Sequence, residues 1–451
     1  MMTDAANGNV SPTVAKILGA CRLVPIGKQD DGIRPVAVGE SFIRILGAVL
    51  LEQNSAVIKE HFSLHQFAML RDNGLEFVVH SLFREINSGD CFSISIDAVN
   101  AFNRTSRVKM AEQLLKNPKL APFVPLFKML YGSPSLLFVN ALAADGNLTI
   151  TIFSREGSRQ GCPFGMFLFC LALQPILEEL SKAHPLCSFK AFADDVTITS
   201  RSKEALLAAF HATAKELAKI GLHIKGEKCV AYGPSDFTES LLSELVEKQP
   251  KFSSDGFKVL GAFVSKHVDA QERFLLEKLS KHKVFSSRLM ALAPEHALPI
   301  LSKCLVPRMG YYMRTHPPDA TRLPAAKFDE MVLAILRHHT HVDEFNALEK
   351  TVLHLPRNDG GCGIQSCARI AEHAWSAAAE ETACTSDVLP PSQQTRVEQM
   401  NVDLLAPLLE DSTLKQAKKK NGARSPSPRL LRAKDLDCWA PPGRRPFVET
   451  S

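Results

Sequence analysis

Two adjacent carboxylates, Asp194 and Asp195, interrupt the strand-like run AFADDVTITS at 191–200. A third, Asp97, closes another alternating run, CFSISIDAVNAF at 91–102. Like charges side by side in a half-buried strand repel and lose hydration, so they call for a positive partner. Carboxylate oxygens at strand ends suit hard cations. Two such ions about 4 Å apart can clamp the attacking and leaving oxygens of an in-line phosphoryl displacement. A single Asp would read as a turn residue or a surface charge. Three acids, with the aromatic Phe102 five residues after the first, point to metal-assisted phosphoryl chemistry.

The surrounding pattern supplies elements to hold them. Phe92, Ile94 and Ile96 alternate with Ser93, Ser95 and Asp97, the period of a strand with one wet face. CRLVPIGKQDDGIRPVAVG (21–39) reads as two strands around an Asp-Gly turn, SLLFVN and LTITIF as a hairpin, and the Phe-Ala-Asp-Asp segment as part of another. Ser11-Pro12 is an N-cap with Pro at the first helical position. Helical spacing recurs at about 40–60, 74–87, 106–116, 164–182 and 203–220, the last stopped by Gly221. GFKVLGAFVS (256–265) is a further strand pair. Beyond about 266 the texture is mainly helical to about 384, and from 385 Pro, Ser, Lys and Arg dominate. Residues 1–10 and the tail are expected to be disordered. No internal repeat is visible.

Composition narrows the class. The 451-residue chain is 45% hydrophobic and 22% charged, an ordinary globular balance. Its net charge of +5 is concentrated: from Asp411 onward ten Lys/Arg face four Asp/Glu, which leaves the body near neutral. A basic tail on a neutral body suits a polyanionic partner. Eleven scattered cysteines without a CxxC pair indicate reduced thiols. Cys362, Cys367, His373 and Cys384 could be written as a zinc site, but their gaps fit no common structural-zinc pattern. The opening MMTDAANGNVSPT has no apolar core, which argues against a signal peptide. The most apolar window, FGMFLFCLALQPIL (164–177), is too short to span a bilayer and reads as a buried helix. The expectation is an intracellular protein, nuclear or cytoplasmic.

These segments together resemble the reverse transcriptases of LINE-type retrotransposons, those lacking long terminal repeats. SISIDAVNAFN resembles the first palm motif, GSRQGCPFGMFLF (157–169) the second, and Phe-Ala-Asp-Asp the third. LVPIGKQDDGIRPVAVGESFIRI resembles the fingers motif, GLHIKGEKC the fourth palm motif, and FKVLGAFVS the primer grip. LPRNDGGCGI (355–364) resembles a Gly-Gly-x-Gly-Ile segment beyond the thumb. The likeness covers about residues 20–375, in the family's order.

The resemblance implies an α+β right-hand polymerase. A flexible segment and short helix (1–20) would precede fingers and palm (21–265), a helical thumb (266–384) and the basic tail (385–451). It implies an RNA-directed DNA polymerase using two Mg²⁺, with Mn²⁺ as substitute, on an RNA template, a DNA primer or RNA–DNA hybrid, and dNTPs. Asp97 and Asp194 would be the principal metal ligands and Asp195 their companion. Phe102 would exclude the ribose 2′-hydroxyl. Gln160 and Gly161 would lie against the nucleotide, where Gly permits close backbone approach. Arg34 and Lys28 would grip the triphosphate. Lys228 would protonate the leaving pyrophosphate, with Lys225 its rival. Leu260 and Gly261 would hold the primer end. About 20 residues precede the fingers motif and no nuclease constellation stands in the tail, which implies a shortened copy without an endonuclease. Two alternatives stand beside this reading: a catalytically silent nucleic-acid-binding remnant, and a group II intron maturase-like enzyme.

Overall fold

The computed structural model describes residues 2–27, 32–62, 65–69, 72–143, 146–234, 250–355 and 361–383. They divide into two compact units. The first holds residues up to Val78 and Glu85–Leu260, and the second holds Val79–Arg84 and the chain from Gly261.

In chain order the strands of the first unit are β1 (Cys21–Gly27), β2 (Ile33–Gly39), β3 (Phe92–Ile96), β4 (Ser135–Ala143), β5 (Gly146–Ser154), β6 (Cys187–Phe192), β7 (Asp195–Ser200), β8 (Val230–Tyr232), β9 (Lys251–Ser253) and β10 (Phe257–Val259). One sheet runs β2-β1-β4-β5 and the other β6-β7-β3-β8-β9. The first sheet joins the two expected hairpins through a parallel β1–β4 pairing that no local pattern announces. In the second, β3 lies between β7 and β8, so both its edges are paired. That position corrects the expected wet face: Ser93 is fully buried.

Helix Pro163–Ala183 forms the centre of the first core and buries 13 of its 21 residues, among them Phe164, Phe167 and Leu171. It matches the helix expected at about 164–182. Its length and hydropathy would allow it to cross a membrane, but 72% of the qualifying stretch is buried inside the protein. Pro175 lies within it without ending it. The expected helix at 40–60 is two, Ser41–Gln53 and Ser55–His61, separated at Asn54. Ser11, Ser106 and Ser202 cap their helices by accepting backbone N–H bonds, as expected for Ser at that position. The first ten residues are not uniformly irregular: Met2–Ala6 is helical and Ala5 is fully buried in the core.

The second unit is helical, with a core built on Leu301, Leu305, Met313, Phe328 and Ile335. Asp329, on helix Pro318–Thr340, accepts from Cys367 N (2.8 Å), Ala368 N (3.0 Å) and Ser366 Oγ (2.7 Å). It caps helix Cys367–Ala383 from outside that helix. After helix Ala347–His354, Cys362 N and Ile364 N bond back to Val352 O (3.0 Å) and Leu353 O (3.0 Å). A Cβ on Gly361 would lie 2.1 Å from Leu355 O, so only glycine lets this segment fold back. The basic tail from 385, Cys384 and Lys28 lie outside the described residues.

Candidate active site

Register brings the acids to one sheet end. β3 and β7 are antiparallel, with Ile94 opposite Ile198 and Ile96 opposite Val196. One residue further, the same register sets Asp97 across from Asp195. Paired strands stand about 5 Å apart, and opposite residues share a face. Asp195 also pairs with Phe192 of β6, so Ala193 and Asp194 form the two-residue turn between the strands. Ala193 has a φ of 55°, the left-handed conformation such a turn demands.

Backbone contacts fix Asp97. Its N–H points at Cys229 Sγ (3.4 Å), its carbonyl accepts from Lys225 N (2.8 Å), and Val99 N donates to His223 O (2.9 Å). The segment after Gly221 thus continues the sheet beside Asp97.

Burial pushes the Asp195 carboxyl up to about 6, and repulsion from Asp194 and then Asp97 adds to the rise. As a whole residue Asp195 is open to solvent, so the repulsion is the more durable cause. Burial raises the Cys229 thiol to about 11, against the lowering effect of its hydrogen bond to the Asp97 backbone. Burial and then Asp194 raise Cys170, on helix Pro163–Ala183.

Among the described residues, no three His, Cys, Asp or Glu side chains stand as a group able to hold a metal ion, those of Cys362, Cys367 and His373 included. The fit to a metal is therefore one of donor chemistry and backbone placement. Crowded carboxylates that resist sharing negative charge suit a hard divalent cation.

The loop 157–163 is held from below by two arginines that sequence reasoning passed over. Arg107 donates from Nε to Gly157 O (2.9 Å) and from its terminal nitrogens to Ser154 O (3.1 Å), Ser154 Oγ (2.7 Å) and Glu156 O (3.1 Å). Burial lowers its pKa to about 10, which leaves it charged at neutral pH. Arg159 is buried and donates to Gly19 O (2.6 Å), Cys21 Sγ (3.0 Å) and Leu130 O (3.4 Å), with Tyr131 beneath its guanidinium at 4.8 Å. Burial works to lower its pKa, but Tyr131, Cys21 and Cys162 more than offset this.

The loop's glycines answer to protein packing. Gly157 has a φ of 68°, and a Cβ there would lie 2.2 Å from the Asn103 backbone. Gly161 has a φ of 98°, and a Cβ there would lie 2.8 Å from Ala37 O. The Gly161 backbone also lies close to β2, where Ala37 N donates to Gln160 O (2.7 Å). Gln160 Oε1 is enclosed without a hydrogen-bond partner.

Phe102 is half-buried, stacks on Phe169 with centroids 4.6 Å apart, and accepts a bond from Ser158 N (2.7 Å) at its carbonyl. It is therefore both a core residue and a neighbour of the loop. Arg34 is exposed on β2. Lys225 pairs with Glu227 (3.0 Å), and Lys228 is exposed at the end of the short turn Gly226–Lys228. Leu260 and Gly261 have φ of 48° and 88°, the positive pair of a type I′ turn.

Residues 26–263 match the family model described as reverse transcriptase (RNA-dependent DNA polymerase). The chain is 24% identical over 387 residues to the retrotransposable element SLACS 132 kDa protein of Trypanosoma brucei gambiense, which covers 84% of this chain and 31% of that protein. It is 22% identical over 219 residues to the retrovirus-related Pol polyprotein from type-2 retrotransposable element R2DM of Drosophila melanogaster, with 46% of this chain and 20% of that one covered. The chain thus spans about a third or less of the length of these curated relatives. Among solved structures, Candida albicans telomerase in complex with a fragment of telomeric RNA aligns over 86% of this chain and 67% of that one, at 12% identity and a TM-score of 0.45. With more than half of its length matched by the family model, the chain belongs to the reverse transcriptase (RNA-dependent DNA polymerase) family.

Proposed function

We propose that this chain is the polymerase portion of a LINE-type retrotransposon protein, extending a DNA primer on an RNA template with deoxynucleotides. The observation that carries the reading is the shared register of β3 and β7, with Asp97 opposite Asp195 and Asp194 in the adjoining turn. Asp97 and Asp194 are the principal ligands for two divalent ions, Mg²⁺ or Mn²⁺, and Asp195 is their companion. Bound there, the ions would lower the pKa of the primer 3′-hydroxyl and neutralise the triphosphate.

The chain's own residues do the rest. Arg34 and Lys28 receive the triphosphate oxygens, Arg through its planar fork. Phe102, braced by Phe169, closes the space a 2′-hydroxyl would need. Gln160 and Gly161 line the nucleotide, and Leu260–Gly261 holds the primer end. Lys228 donates the proton to pyrophosphate, with Lys225 its rival for that role.

The test is primer extension on an RNA template with Mg²⁺ and dNTPs. Asp194→Ala should lower the rate by about a thousandfold or more, as loss of a group acting within a catalytic unit does. The second reading is a silent nucleic-acid-binding remnant. Wild-type extension no greater than that of Asp194→Ala, with template binding intact, would establish that remnant instead.

A further inference from the structure

Ala193 is the unexpected residue in the acidic turn. Its φ of 55° is a strained, left-handed conformation for a non-glycine residue, and it is buried, so its amide needs protein partners. Both partners are one side chain. Gln66, itself fully buried, accepts from Ala193 N at Oε1 (2.8 Å) and donates from Nε2 to Ala193 O (3.2 Å). Its Oε1 also accepts from Ala68 N (3.3 Å).

The backbone around Gln66 is tied to the same strand. Ala191 N donates to His65 O (2.7 Å), and Phe67 N donates to Ala191 O (2.8 Å). His65 Nδ1 lies 3.2 Å from Phe189 O, and His65 has a φ of 66°. Residues 65–67 therefore lie along the outer edge of β6, and their central side chain reaches the turn that carries Asp194.

From this geometry we infer that Gln66 is a positioning residue for Asp194: its amide holds the left-handed Ala193 peptide and so sets the direction in which the next carboxylate leaves the turn. It touches no substrate and acts through the backbone alone. The inference rests on the polymerase reading above.

Gln66→Met keeps the length and removes both hydrogen bonds. It should lower kcat by about 10–100-fold, the usual loss when the support behind a ligand is removed, while KM for template–primer stays within about twofold. The Mg²⁺ concentration giving half-maximal extension should rise by a similar factor. In the substrate-free protein, the rise in Tm produced by MnCl₂ should shrink. A merely structural role would reduce the active fraction and leave both metal responses unchanged.

Ala193→Gly alone should cost little, because glycine adopts this φ without strain. Combined with Gln66→Met it should recover part of the lost kcat, a non-additivity that marks the two positions as coupled. If Gln66→Met does not fold, Gln66→Glu is the substitute. It keeps the acceptor for Ala193 N but turns an oxygen toward Ala193 O, and kcat should again fall about tenfold or more. Wild-type kcat and metal response in a folded Gln66→Met or Gln66→Glu protein would overturn the inference. A wild-type protein unable to extend primers would overturn the polymerase reading instead.

Discussion

The two units bury polar side chains of opposite kinds. The first encloses the cations of Arg159 and of Lys190, whose ammonium meets Glu85 at 2.5 Å and Ser188 at 2.6 Å, and half-buries Arg107. The second encloses imidazoles. His80 Nε2 donates to Arg314 O (2.7 Å), with its ring 4.3 Å from that of Trp375. His316 Nε2 accepts from Phe263 N (3.1 Å), so its proton sits on Nδ1, 3.2 Å from Tyr312 O. A buried guanidinium stays charged and can hold several carbonyls at once. A buried imidazole keeps its place only while neutral. The loop framing the acidic site is thus pinned by charge that does not titrate near neutrality, whereas the helical unit depends on imidazoles that burial keeps neutral.

The largest test of this contrast is Arg159→Met. Removing the guanidinium leaves the carbonyls of Gly19 and Leu130 buried without their donor, at a cost of about 3 kcal/mol or more. Urea unfolding of the first unit should show it, and an unchanged midpoint would reduce Arg159 to filler.

Acid tests the other half. Burial lowers His80 to about 3 and His316 to about 4, below the ordinary 6.5. Below pH 6.5 the unfolded chain takes up protons that the folded unit refuses, so stability is full above that pH and falls as pH drops. The slope approaches about 1.4 kcal/mol per pH unit for each histidine. Between pH 7 and 5 the second unit should lose about 4 kcal/mol, and His80→Gln should flatten the loss by about half. A pH-independent unfolding midpoint would contradict the buried neutral pair.

Asp329→Ala asks whether an anion at a helix start matters as much as these groups. It removes three bonds at the start of helix Cys367–Ala383 and should cost about 1–2 kcal/mol. The smallest effect on stability should come from removing residues 411–451. Melting of both units should barely change, while the salt dependence of RNA binding flattens as fewer counterions are released.

Much of this was legible because local patterns were strong. Ser-capped helices, the alternation before Asp97 and the Asp-Asp pair in a hairpin all depend on neighbours a few residues away. The pairing of β1 with β4, the burial of Ser93 and the helix at Met2–Ala6 depend on distant partners, and no spacing reports them. Gln66 shows the same limit: in LHQFAML a glutamine among apolar residues signals a buried amide, but not that Ala193 is its partner. Arg159 lay inside GSRQGCPFGMFLF with no role assigned to it, although an arginine between a serine and a glutamine in a glycine loop hints at a guanidinium gathering carbonyls.

The register between β3 and β7 also governs where the chain can change length. Between Asp97 and Asp194, residues added to the β4–β5 hairpin leave the facing of Asp97 and Asp195 untouched, because opposition is decided by strand pairing alone. One residue added within β7 would turn every later side chain to the other face of the sheet. Insertions should therefore accumulate freely in the former place and never in the latter, which gives the acidic end of this sheet a tolerance for growth that depends on position.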